Sequence, residues 1–334
     1  MKRILLALVL SLFLGFAGLY IVAGSALFEA DTYRPQNPSL LVLILCVVAL
    51  LTEWLAPAER VRLLCLSQYI EVPFRSALLV NLLSVLGGAV IPGGTGQGPA
   101  IVAALGRLGV PVGKGIGVTM QTYVLDMIFF AWSVPLSLWY LVYSDTITLP
   151  ADLKNFTLVA VSFVLVVAII LGRYPRLIVG LLLIVAKWPL LRRLEVRLRK
   201  VAHDYYRSSR SYLNMPTYSW LKLHLLTAAN WVSGFVLLWG LLELYGIDIS
   251  FLGTLALLGV ITLASQFIPT PRGAGFVKAA VGLSVGISQG GGVAAALLVW
   301  RLLTVYASFI LGPLAGWLLL LSPRVKRFGP KALR

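Results

Sequence analysis

Long apolar runs separated by short charged segments set the pattern of this chain. Residues 4–28, 39–55, 117–143, 155–171, 223–245 and 293–321 each carry enough apolar residues for a helix across a bilayer core. Two further runs stop early. Residues 76–91 end at Ile91-Pro-Gly-Gly-Thr-Gly-Gln-Gly98, and a shorter limb, 99–108, follows. Residues 251–268 end at Ile268-Pro-Thr-Pro-Arg-Gly-Ala-Gly275, followed by 276–288. Both breaks read I-P-x-x-x-G-x-G, at an offset of 268 − 91 = 177 positions. Without a gap, the identity continues at Ala103/Ala280, Gly109/Gly286, Gly113/Gly290 and Gly115/Gly292. Proline removes a donor and clashes with the preceding turn, and glycine admits the conformations of a broken helix. A helix is therefore predicted to break at Pro92, Gly93, Gly94, Gly96 and Gly98, and again at Pro269, Pro271, Gly273 and Gly275.

Composition agrees with the pattern. Of 334 residues 59% are hydrophobic and 12% charged, half or less of the charged fraction of a soluble domain. The chain reads as one all-α polytopic membrane domain, residues 1–334. The run at 4–28 exceeds the apolar region of a signal peptide and shows no clear cleavage site, so it is expected to stay as a first span. The net charge of +16 gathers in a few loops. The positive-inside rule and anionic headgroups account for it, and no nucleic-acid partner is expected.

Charge bias also orients the spans. The termini, segment 56–75 and a basic connector at 173–222, with eleven Lys/Arg against Glu195 and Asp204, are predicted to be cytoplasmic, in the inner or plasma membrane. Within the connector, 190–210 reads equally as an amphipathic helix on the inner leaflet or as a solvated linker. Parity then makes the first break a re-entrant hairpin opening inward and the second one opening outward. The reading is about six spans plus two hairpins, in two inverted repeats, 1–143 and 155–321. Such halves with broken helices point to a transport site at their interface. Two unrelated helix kinks would be the plainer account.

The chain resembles the lysylphosphatidylglycerol synthase transmembrane family, also called flippase-like domain proteins. The resemblance rests on Pro92–Gln97, Pro269–Gly275 and Trp300-Arg301, and it covers essentially the whole chain. It implies a membrane domain associated with moving modified phospholipids between leaflets. Thirteen residues follow Leu321, so the soluble aminoacyl-transferase domain of some members is not expected, nor is synthase activity. Relatives often carry an acid where this chain has Gln97 and another where it has Lys278. That departure speaks against ion coupling at those two positions and for a more anionic substrate.

Five charges fall where an interface cannot easily hold them: Glu53, Asp126, Arg272, Lys278 and Arg301. Arginine matches phosphate oxygens with a two-pronged fork, and lysine adds a point charge. A lipid-phosphate pocket of Arg272, Arg301 and Lys278 is expected, with Gln97, Thr95 and Gln266 as neutral contacts. Other roles stay open: Arg301 could pair with Asp126 and lock the halves, Lys278 could reach headgroups, and Asp126 could relay protons. Glu53 is expected near the inner end of its span. No catalytic constellation, metal site or cofactor motif is visible, and the two cysteines, Cys46 and Cys65, predict no disulfide. The expected function is a phospholipid flippase or scramblase. A membrane-embedded transferase acting on a lipid phosphate or lipid-linked sugar, and a transporter of a small soluble anion, are the alternatives. The thirty-one glycines would also permit a homodimer face.

Overall fold

A computed structural model describes residues 34–36, 39–91, 94–143, 175–186, 215–266 and 290–327, with 196, 199, 203, 206, 276, 280 and 281. In chain order the helices are α1 (Leu40–Leu66), α2 (Phe74–Val90), α3 (Gln97–Arg107), α4 (Val112–Tyr143) and α5 (Pro175–Ala186). They continue with α6 (Thr217–Leu244), α7 (Phe251–Ser265) and α8 (Gly290–Arg301). A π-helical segment, Leu302–Tyr306, then leads into α9 (Ser308–Leu321). Two-residue strands β1 (Ile70–Glu71) and β2 (Lys326–Arg327) pair antiparallel. Four helical stretches are long and apolar enough to cross a membrane: Leu40–Leu66, Val112–Leu141, Thr217–Leu244 and Gly291–Leu321. The protein is an all-α, multi-pass membrane protein. The spans predicted at 4–28 and 155–171 lie outside the described residues, as does most of the 173–222 connector.

Helix starts follow local chemistry. Pro73 and Pro216 precede α2 and α6, where a missing N–H costs nothing. Ser250 caps α7 by accepting from the Gly253 amide at 3.2 Å. The predicted end of the second span needs correction. α1 runs to Leu66, through Pro57, so Arg60 and Arg62 belong to a helix and not to a loop. Glu53 is consequently at the midpoint of α1 rather than near its inner end. Hydropathy lost the helix where charges begin, although Glu59 accepts from Arg62 at 2.6 Å and from Lys222 at 2.9 Å and so is compensated.

The offset of 177 reappears in the helix limits. Adding it to the start of α1 gives Thr217, the start of α6, and adding it to the start of α2 gives Phe251, the start of α7. The α4 limits map to 289 and 320, within one residue of the start of α8 and the end of α9. Even the turns agree. Tyr69 (φ 60) and Gly246 (φ 77) are both left-handed, and 246 − 69 = 177. A non-glycine residue rarely adopts that conformation, so its recurrence at one register marks a shared turn.

Packing repeats in a crossed manner. α1 lies against α6, its own counterpart, with small residues at the contact: a methyl on Gly240 would come 2.5 Å from Cys46 Sγ. The two run antiparallel, since Val42 and Cys46 face Gly240 and Glu53 faces Gly234, while Arg60 reaches Thr227. Each short helix packs on the other half's long helix. Leu86 and Leu83 of α2 face Gly312 and Gly316 of α9, and Gly259 of α7 faces Ser137 of α4. One apolar core joins α1, α6, α7 and α8, and another joins the end of α1 to α2, α3 and α4.

Candidate functional site

The first break is closed by glycine. Ile91 and Thr95 are exposed and Gly94 is left-handed (φ 70), while Gly96 and Gly98 are buried. A Cβ on Gly96 would lie 2.1 Å from the Gly87 carbonyl oxygen, and one on Gly87 would lie 2.6 Å from Ala100 Cβ. The C-terminal end of α2 and the N-terminal end of α3 therefore touch backbone to backbone. A Cβ on Gly98 would fall 2.7 Å from Tyr123 Oη of α4. Gln97, half-buried, opens α3, whose first amides have no partner within the helix. Pro92 and Gly93 lie outside the described residues.

Of the second break, Gln266 is described, exposed just beyond α7. Pro269, Pro271, Arg272, Gly273, Gly275 and Lys278 lie outside the described residues. Arg301 is placed clearly. It ends α8 against the π segment, is 6% exposed, and its guanidinium carbon sits 4.7 Å from the Trp300 ring centroid. The Ala307 amide donates to the Leu302 carbonyl at 2.9 Å, the five-residue spacing that defines this segment. Such bulges inside α-helices frequently mark functional positions. The neutral candidates Thr95 and Gln97 lie in the first half, and Arg301 and Gln266 in the second.

The structure adds a cluster that sequence reasoning missed. Arg60 of α1, 3% exposed, donates through Nη1 to Asp126 Oδ1 of α4 at 2.5 Å and to Thr227 Oγ1 of α6 at 3.2 Å. Trp231 of α6 donates through Nε1 to the same Asp126 oxygen at 3.0 Å. Asp126 thus pairs with Arg60. Ion pairs at this depth carry a large desolvation cost, which makes three helices meeting on one carboxylate a point of interest. The signal was present in the seven-residue spacing of Glu53 and Arg60 on one face of α1, but Arg60 had been counted among loop cations.

At one end, the chain's last described residues tie the base of α3. The Val325 amide donates to the Leu108 carbonyl at 2.9 Å, and Arg107 Nη2 donates to the Leu320 carbonyl at 2.5 Å. Among the described residues no group of His, Cys, Asp or Glu could hold a metal, and Cys46 and Cys65 are buried free thiols.

A multi-pass helical membrane protein with a glycine-closed helix break and a buried arginine beside a π segment is the class so defined. The family model for the lysylphosphatidylglycerol synthase TM region matches residues 3–312, and the chain belongs to that family. No curated protein matches the chain.

Proposed function

We propose that this protein moves an anionic phospholipid, or a lipid-linked anionic headgroup, between leaflets, with Arg301 contacting the headgroup phosphate. The observation that carries the reading is the pair of equivalent, antiparallel long helices α1 and α6. Equivalent antiparallel helices are related by an axis perpendicular to both, and for spanning helices that axis lies in the membrane plane. The halves are then inverted repeats, and their breaks are re-entrant hairpins facing opposite leaflets. Arg301, buried partway along the last span, supplies a cation that hydrocarbon would penalise unless it served a partner or a substrate. The family description adds a lipid context. The reading assigns transport and no bond-making step, places both termini in the cytoplasm of an inner or plasma membrane, and makes phospholipid the partner.

The test is translocation of fluorescent phosphatidylglycerol in proteoliposomes, scored by loss of signal to a membrane-impermeant quencher. The intact protein should accelerate exchange between leaflets, and Arg301→Ala should slow it by about tenfold, the loss of one charge-assisted phosphate contact. Lipid movement equal to that in empty vesicles, with uptake of inorganic phosphate instead, would overturn the lipid reading.

A further inference from the structure

The Arg60–Asp126 pair is not something this scaffold needs. At the equivalent positions of the second half, 60 + 177 and 126 + 177, stand Leu237, fully buried, and Leu303. The equivalent positions are therefore held by leucines in one half and by opposite charges in the other. Replacing a buried ion pair by apolar residues is commonly neutral or stabilising, so packing alone gives no reason for the charges.

The geometry points to a second anion-binding site at Arg60, in which the Asp126 carboxylate holds the place of a phosphate group. Two N–H donors from two different helices, Arg60 Nη1 and Trp231 Nε1, converge on one oxygen, Asp126 Oδ1. A phosphate oxygen at that point would meet the same two donors. The guanidinium is only partly used, because its Nε is buried and has no hydrogen-bond partner among the described residues. A phosphate has several oxygens to match an arginine fork, where this carboxylate receives Arg60 through one oxygen. The carboxylate is also the more accessible partner, with its side chain 16% exposed against 3% for Arg60. Displacing Asp126 leaves the arginine charge behind it ready to receive an anion in its place.

The ligand is a singly charged phosphate, either the phosphodiester of a lipid headgroup or free phosphate. This site shares its ligand chemistry with the proposed function but is read by equilibrium binding. A protein that bound the lipid here without moving it would sink the transport reading and leave this one standing.

The experiment counts lipids bound to the intact protein by native mass spectrometry, titrating phosphatidylglycerol and, as a phosphate-free control, diacylglycerol. Asp126→Asn keeps the shape of the side chain and removes its charge. It should raise the apparent affinity for phosphatidylglycerol by about fivefold or more, the lower end of ordinary coupling between sites, and leave diacylglycerol unchanged. Adding Arg60→Gln to that variant should cancel the gain. Inorganic phosphate that competes the lipid away identifies free phosphate as an equal ligand, and lipid retained against it identifies the headgroup. No gain in Asp126→Asn, or a gain that survives Arg60→Gln, overturns the site. A readout that leaves Arg60 and Asp126 in place guards against misfolding of their variants. Phosphatidylglycerol should change a tryptophan emission component that Trp231→Phe removes, and the absence of that change at saturation also overturns it.

Discussion

The two halves of this molecule share a backbone plan and disagree about charge. Helix limits and a left-handed turn recur at one offset of 177 positions. The buried ionisable groups Arg60 and Arg301, and Asp126 beside Arg60, do not follow it. Arg60 and Asp126 of the first half correspond to Leu237 and Leu303, while Arg301 of the second corresponds to Val124. The π segment Leu302–Tyr306 corresponds to Leu125–Phe129, an unbroken stretch of α4 that contains Asp126. Around equivalent positions, then, one half holds an ion pair and the other holds a buried arginine beside a helical irregularity. Shared packing fixes where the helices go, and unshared charge decides what each half can hold.

The largest effects should come from making the halves alike. Arg60→Leu or Asp126→Leu alone strands a buried charge and should cost about 3–5 kcal/mol. Arg60→Leu with Asp126→Leu, which copies the second half, should restore stability to within about 1 kcal/mol of the parent or above it. Thermal unfolding in detergent checks both, and a double variant as unstable as the singles would mean that the ion pair holds the fold together. The crossed packing should show a smaller asymmetry. Gly312→Ala places a methyl 2.6 Å from Leu86 Cβ and should cost about 2 kcal/mol by overpacking. Gly259→Ala meets the Ser137 hydroxyl at 3.1 Å, which can turn away, and its cost should stay below about 1 kcal/mol. Equal melting shifts for the two would contradict the difference in closeness. An effect between those two belongs to the shared turn. Gly246→Ala forces a side chain into a left-handed residue and should lower stability by about 1 kcal/mol, and an unchanged melting temperature would show that the turn relaxes freely.

Most of the architecture could be read from the chain because hydropathy and proline–glycine breaks are local signals. The short helix 251–268 was expected where α7 stands, and 76–91 where α2 stands, each within three residues at either end. The error at α1 had a physical cause. Glu59 is compensated by Arg62 of α1 and by Lys222 of α6, whereas a one-dimensional charge count sees Glu59, Arg60 and Arg62 in close succession and ends the span. Asp126 could be singled out as anomalous, but its partner could not, because Arg60 lies 66 positions away and the pairing depends on how α1, α4 and α6 meet. Arg301 stands in an apolar run and is buried, while the π segment following it has no sequence signature.

The crossed packing has a consequence for how the protein is made. α2 finds one of its main surfaces on α9, and Val325 and Leu320 secure the base of α3, more than 200 positions after the residues they hold. A first half already inserted in the membrane would leave Leu83 and Leu86 without that surface until the last span follows it in. That surface of α2 is therefore completed only when residues 308–321 have been synthesised. The closing stitch arrives near the end.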